Sequence, residues 1–463
     1  MRIGAIDHQH SQITEGSIWR PLMSFFFPIW LGTFFQQFYN TADAMIVGNF
    51  VGTGALAAVG ATGSIINLLV GFFTGLSSGA SVVISQHFGA GDRRVVSRSV
   101  HTAMLLAAFG GLAITVLGMI LTTFSLRLMN TPADILKDSA LYMRVYYLGM
   151  IPLMIYNMGT SALRAIGDSR RPVYFLIISA ISNILLDLLF VAVIPMGVAG
   201  AALATVLSEV IAAVLVLLCL IHAHGQPWQL HRDELKIDRR QLREICRLGL
   251  PAGLQSVLYT ISNMVIQSSV NSFGTDTVAA WTVYGKIDFL YWMTVNAMGL
   301  SITTFSGQNF GARQYNRMKK GALVALGITA LLTLCISSCM LLAATPLLRL
   351  FTSDRHVIDI TLNMMHFLVP TYITYICVEI FSGTIRGSGD AVIPTVLTCF
   401  GVCVLRVLWI LFAVPIHPTL ITVIWSYPIT WTFTSILFLI YYFHGGWLRR
   451  RTRLQDLLLV QDN

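Results

Sequence analysis

Five carboxylates lie well inside long apolar stretches of this chain: Asp43, Asp187, Glu209, Asp288 and Glu379. A carboxylate at mid-membrane costs about 2.5–3.5 kcal/mol on insertion scales, so it usually has a partner or a function. Asp43 closes a polar stripe of Gln36, Tyr39, Asn40 and Asp43, whose i, i+3, i+4, i+7 spacing marks one helix face. Asn183 stands one turn before Asp187, and Thr205 one turn before Glu209. Sixteen residues from Arg171 at about 1.5 Å each carry Asp187 about 24 Å from the inner end of its span, a depth that Asp43 also reaches. Asp43, Asp187 and Glu209 are therefore expected to meet. Carboxylates that share a dry pocket cannot all ionise unaided: one holds a proton, or a metal cation neutralises them. Asn and Thr oxygens beside two carboxylates also suit Na⁺. The alternative is a buried polar network that only joins helices. Asp288, with Tyr284 and Tyr291 on its span, is either a substrate contact or half of an internal ion pair. Arg144, Lys286 and Arg406 are the cations in or near spans, and Arg144 and Arg406 are candidates to pair with these acids.

The elements that position these groups follow from composition. The chain is 55% hydrophobic and 11% charged, about half the charge of a soluble globule. Twelve nearly continuous apolar stretches between 20 and 443 each approach or exceed the ~20 residues that cross hydrocarbon as a helix. The expected fold class is thus an all-α integral membrane protein of twelve transmembrane helices. The sequence also repeats at an offset of 222: Arg164, Gly167, Asp168 and Pro172 recur as Arg386, Gly389, Asp390 and Pro394, and Gln86, Phe88 and Gly89 as Gln308, Phe310 and Gly311. Six spans per repeat is an even number, so the two repeats are parallel, forming two pseudo-symmetric six-helix lobes around a central cleft. The expected divisions are an N-terminal cytoplasmic segment 1–19, an N-lobe 20–222, a cytoplasmic linker 223–245, a C-lobe 246–443 and a basic tail 444–463.

Charge placement sets the orientation. Of 30 Lys and Arg, 23 fall at the termini and on the even-numbered loops, and only Arg127, Lys137, Arg349 and Arg355 on the odd-numbered ones. The positive-inside rule then puts both termini in the cytoplasm. Topology accounts for the net charge of +9, and no nucleic-acid partner is expected. The arginines of 449–453 are expected to touch anionic lipid. No cleavable signal is expected before the first span, the seven cysteines carry no zinc or redox spacing, and no Walker A sequence occurs. No cofactor and no ATPase subunit are therefore expected. The linker reads as the hinge, with a short surface helix from Asp238 to Cys246. Gly71, Gly75 and Gly79 offer a smooth face for close helix packing. Pro28 removes a backbone hydrogen bond inside span 1. Arg164 with Asp168 and Arg386 with Asp390 are expected to bridge at i, i+4 and pin two inner turns, a structural or gating role. His101 and His366 lie in spans without a second ligand at metal spacing.

Several of these segments make the chain familiar. Gln-Phe-Tyr-Asn-Thr-Ala-Asp at 37–43, Gln-His-Phe-Gly-Ala-Gly-Asp at 86–92, Leu-Arg-Ala-Ile-Gly-Asp at 163–168, Asn-Ile-Leu-Leu-Asp at 183–187 and Met-Gly-Val-Ala-Gly-Ala-Ala at 196–202 resemble the multidrug and toxic compound extrusion (MATE) family of cation-coupled exporters. The likeness covers almost the whole length and is closer to the branch whose coupling acids lie in the N-lobe. The resemblance implies that Asp43, Asn183, Asp187 and Thr205 bind the coupling H⁺ or Na⁺, and that Tyr39, Tyr142 and Asn157 line the N-lobe cavity. Where the other prokaryotic branch has a Glu in span 7, this chain aligns Tyr259.

The resulting expectation is a non-enzymatic antiporter of the bacterial cytoplasmic membrane, a monomer that exchanges external H⁺ or Na⁺ for an amphiphilic, often cationic, compound. Gln36, Asn40, Glu209 and Asp288 join the expected substrate cavity. A flippase for lipid-linked or polyanionic cargo is the nearest rival. An integral-membrane transferase would want a His/Asp or metal constellation at a membrane face, and a scaffold would have no use for buried acids.

Overall fold

The computed structural model describes residues 13–129 and 131–453. The expected segments 1–19 and 444–463 therefore lie partly outside the described residues, which form helices and turns and no strand. The first six spans are α1 (Trp19–Phe50), α2 (Thr53–Gly89), α3 (Arg93–Leu128), α4 with α5 (Leu136–Leu148 and Met150–Ala165), α6 (Arg170–Asp187) and α7 (Gly197–Ile221). A π-helical turn, Leu188–Val193, extends α6 directly beyond Asp187.

The second six are α8 (Arg239–Asn271), α9 (Thr275–Gly311), α10 (Tyr315–Leu342) with the short α11 (Ala344–Arg349), α12 and α13 (Arg355–Leu368 and Ile376–Gly387) joined by a 3₁₀ turn, α14 and α15 (Val392–Thr398 and Leu405–Ile416) joined by a π turn, and α16 (Leu420–His444). Among the described residues, eight spans are long and apolar enough to cross a membrane by length and composition. The other four are α1, α4–α5, which is broken at Gly149, α8 and α9. Polar residues lower their hydropathy for the same reason that they attract attention as a site.

Turn chemistry repeats with the sequence. Gly167 and Gly389 take φ of +108° and +87°, and Gly52 and Gly274 take +109° and +96°, a backbone region that favours glycine. In each repeat the second span packs against the fourth: α2 on α5, and α9 on α13. No separate surface helix spans 238–246. Those residues are the first turns of α8, started by Asp238, whose Oδ1 accepts from the Arg240 and Gln241 amides at 2.9 and 3.2 Å. The linker is anchored rather than free. Trp228 is buried against Phe88, and His101 accepts the His231 amide at 3.0 Å on Nε2 while its Nδ1 donates to the Ser97 carbonyl at 2.8 Å.

The chain divides into two compact units, Phe27–Gly253 and Met1–Phe26 with Leu254–Asn463. Both boundaries fall inside helices, next to Pro28 of α1 and Pro251 of α8, rather than in the linker. Proline removes a helix hydrogen bond and lets a rod bend. Within the first unit the glycine face of α2 meets a second glycine pair in α8. A Cβ on Gly75 would lie 2.4 Å from the Gly253 nitrogen, and one on Gly79 would lie 2.4 Å from the Gly249 nitrogen.

Candidate functional site

In the unit Phe27–Gly253, α1 brings Asp43 against Asp187 of α6, and the two carboxyls interact directly. Asp187 is fully buried and Asn183, one turn earlier, is 1% exposed. A carboxylate offers no donor, so a bond between these two groups needs a proton. With both ionised, Asp43 Oδ1, both Asp187 oxygens and both polar atoms of the Asn183 side chain have no partner. Native interiors leave few buried polar atoms unpaired, and here five gather in one place. Tyr142 of α4, itself buried, bonds the Thr205 hydroxyl and lies within electrostatic range of both aspartates without a hydrogen bond to either. Thr205 Oγ1 also donates to the Ala201 carbonyl at 3.1 Å.

Among the described residues no direct interaction joins Glu209 to that pair. Its titratable neighbours are the hydroxyls of Tyr39, Tyr146 and Tyr156, and Gln36 bonds Tyr39. Tyr142 and Tyr146 stack at 6.2 Å between ring centroids, so tyrosines connect the aspartates to Glu209. Asn157 is half-buried and spends one N–H on the Leu153 carbonyl at 3.0 Å; Gln36 and Asn40 are exposed. Sequence spacing brought the aspartates together but missed Tyr146 and Tyr156. The i, i+4 spacing of Tyr142 and Tyr146 was the available signal for the first of these.

The acids of the other unit are arranged differently. Asp288 of α9 accepts from Trp292 Nε1 at 2.7 Å, from the Tyr284 hydroxyl at 3.2 Å and from the Tyr372 hydroxyl, three neutral donors. Lys286 is exposed and takes no part, because two positions along a helix lead to its opposite side. Glu379 interacts with Tyr375 and Arg386, and Tyr259 bonds Tyr375 at 3.1 Å.

Three expectations are corrected. Arg164 does not bridge Asp168; its Nη2 donates to Thr160 and Ser161, both at 3.4 Å, while Asp168 accepts the Arg170 and Arg171 amides and pairs with the Arg171 side chain at 3.2 Å. Arg386 turns to Gln255 and Ser382, and Asp390 pairs with Arg450 at 2.7 Å. The free N–H groups that open the next helix draw each aspartate downstream, away from its arginine. Arg450 keeps half of its side chain exposed while it pairs with Asp390, and Arg451 bonds the Ser388 carbonyl at 3.2 Å. Arg144 is exposed and donates to Thr123 at 3.3 Å, on the side of α4 away from Tyr142.

Among the described residues no group of three His, Cys, Asp or Glu gathers around a common metal position. The oxygen-rich set at Asp43, Asn183 and Asp187 suits a proton or a hard monovalent cation better than a transition metal. A family model described as MatE matches residues 28–189 and again 251–412. The probable multidrug resistance protein YoeA of Bacillus subtilis is 30% identical over 396 residues, which cover 84% of this chain and 85% of the relative. The FAD transporter of Shewanella oneidensis is 28% identical over 75% of this chain and 77% of its own length. A solved MOP superfamily transporter of Pyrococcus furiosus superposes with a TM-score of 0.87 over 96% of this chain and 98% of that one, at 23% identity, a likeness of fold. With one matched segment in each repeat and relatives of this extent, the chain belongs to the MatE family.

Proposed function

We propose that this protein is a secondary active exporter of the cytoplasmic membrane that exchanges external H⁺ or Na⁺ for an intracellular amphiphilic compound, and that Asp43 and Asp187 carry the coupling ion. The observation that supports this most is the set of five unpaired polar atoms on Asp43, Asn183 and Asp187, deep in a helical unit. Such a cluster is costly unless a proton or cation serves it. Ionised aspartates favour the state that holds cargo. A cation from outside neutralises them, changes helix packing near Pro28 and releases the cargo outward. Tyr39, Tyr142, Glu209 and Asn157 offer rings, hydroxyls, an amide and one acid to an amphiphilic cation. Exchange requires the two ligands to disfavour each other by about 1–3 kcal/mol or more. Conversion of either aspartate to asparagine removes the titratable group and keeps the shape. Asp43→Asn and Asp187→Asn should each abolish gradient-driven dye efflux in everted vesicles at wild-type membrane levels; undiminished efflux by both sinks the assignment.

A second reading, export of an anionic cargo, is favoured by one observation on each side: a relative named as an FAD transporter, and a buried guanidinium, Arg406, in the other unit. Rhodamine 6G and flavin accumulation compared in the same cells, with and without the protein, separate the two readings.

A further inference from the structure

The acid pocket has a counterpart in the second repeat, and its charge is inverted. The repeats run at an offset of 222 through Arg164/Arg386 and Pro172/Pro394. In the second repeat the π turn Cys399–Val404 then inserts one residue before the position of interest, since a π turn closes i to i+5 instead of i to i+4. In the first repeat the π turn begins only after Asp187. Beyond Val404 the offset is therefore 223, as it is at the ends of the two matched segments, 189 and 412, and between Pro28 and Pro251. The counterparts of Asp43, Asn183 and Asp187 are then Ile266, Arg406 and Ile410, rather than the Val265 and Trp409 that an ungapped offset gives. Burial is consistent with this register: Ile266 and Ile410 are buried members of one cluster, whereas Val265 and Trp409 are only partly buried against it.

Where the first repeat has an amide beside two acids, the second therefore has a guanidinium beside two isoleucines. Arg406 is 3% exposed. Its Nη2 makes one long bond, 3.4 Å, to the Thr430 hydroxyl, its Nε has no partner, and its face lies 4.2 Å from the Tyr427 ring centroid. No carboxylate among the described residues forms an ion pair with it. Asp288, which like Arg406 acts electrostatically on Tyr427, is already served by three donors. Glu379, another electrostatic neighbour of Tyr259, interacts with Arg386. Cys403 and Tyr259 are the remaining titratable neighbours. On the same face of α16, Ser426 Oγ is buried without a partner, and the unpaired Trp431 Nε1 belongs to the ring that packs on Tyr427 at 5.3 Å. A buried, unneutralised arginine is one of the most costly groups an interior can hold, and a π turn beside it is a frequent mark of a functional site.

We infer that Arg406 is a binding site for an acidic group, carboxylate or phosphate, on the transported amphiphile, reached when Tyr427 gives way. This rests on the exporter reading and narrows its cargo to molecules that carry an aromatic body and an anionic group. The cation of exchange and the anion of the cargo would then occupy equivalent places in the two repeats. A guanidinium matches a planar carboxylate or a phosphate with two parallel N–H groups, and an ammonium does not.

The test uses purified full-length protein and a matched pair of dyes, rhodamine 6G, a cationic ester, and its free acid, which differs by a carboxylate. Binding is read by fluorescence anisotropy. Wild type should bind the free acid more tightly than the ester. Arg406→Gln should lower the acid-to-ester affinity ratio at least tenfold, and Arg406→Lys should restore it in part. Competition by benzoate and by phenyl phosphate tells a carboxylate site from a phosphate site. A melting curve for each variant shows that it is folded, and should Arg406→Gln fail to fold, the dye ratio of Arg406→Lys against wild type decides. No preference for the acid in wild type, or a ratio that ignores Arg406, overturns the proposal. Loss of exporter behaviour is scored separately, by wild-type efflux of rhodamine 6G under a proton or sodium gradient.

Discussion

At the scale of single residues, the decisive contrast is between acids that have donors and acids that have none. Asp288 and the Asp43/Asp187 pair are all carboxylates in membrane helices, and sequence alone gives them similar weight. Two tyrosines and a tryptophan serve Asp288, which reads as a pin holding the 3₁₀ turn of Val369–Thr374 to α9. Asp288→Ala would strand three buried donors and should cost on the order of 1–3 kcal/mol of stability, seen as a lower melting temperature in detergent, with the ion dependence of dye binding retained. A variant of normal melting temperature but altered ion dependence would move Asp288 into the coupling site. The pairing of Asp43 with Asp187 was legible because an intramembrane acid is rare and helix periodicity fixes its face. The donors around Asp288 were not legible: Tyr372 is 84 residues away, and only the fold brings it there.

At the scale of elements, small residues set how closely rods approach. Gly75 and Gly79 were recognisable as a packing face, while their partners Gly249 and Gly253 were hidden in a helix whose start resembled a polar linker. Gly75→Val or Gly79→Val should prevent α2 from seating on α8 and remove the monodisperse peak in size-exclusion chromatography. Gly60→Ala, where nothing lies within 4 Å of the added carbon, should leave that peak in place. The failed arginine–aspartate bridges teach the complementary lesson. Spacing of i, i+4 promises a pair only where the helix continues, and here it ends at Ala165 and Gly387, before the turns at Gly167 and Gly389, so the carboxylates cap the following helix instead. A π turn is equally invisible in composition, yet it shifts the repeat register by one residue and decides which side chain faces the site.

At the scale of the whole molecule, the two repeats have kept their turns and span packing while their polar interiors diverged. Apolar length, repeat offset and charge placement sufficed to read twelve helices. The boundaries of the two compact units, beside Pro28 and Pro251, required coordinates. Orientation is checkable in intact cells of a cysteine-free background: a cysteine at Ser353 should react with a membrane-impermeant maleimide and one at Gly225 should not, and the reverse pattern would invert the topology. The central claim is that cargo and cation compete through Asp43 and Asp187, and thermodynamic linkage makes that competition reciprocal. The most direct measurement is rhodamine 6G affinity of the purified protein across a series of proton and sodium concentrations. The account predicts that raising one of these ions weakens dye binding about fivefold or more in wild type, and that the dependence disappears in Asp43→Asn and Asp187→Asn. Dye affinity indifferent to both ions while the two aspartates are intact would contradict it.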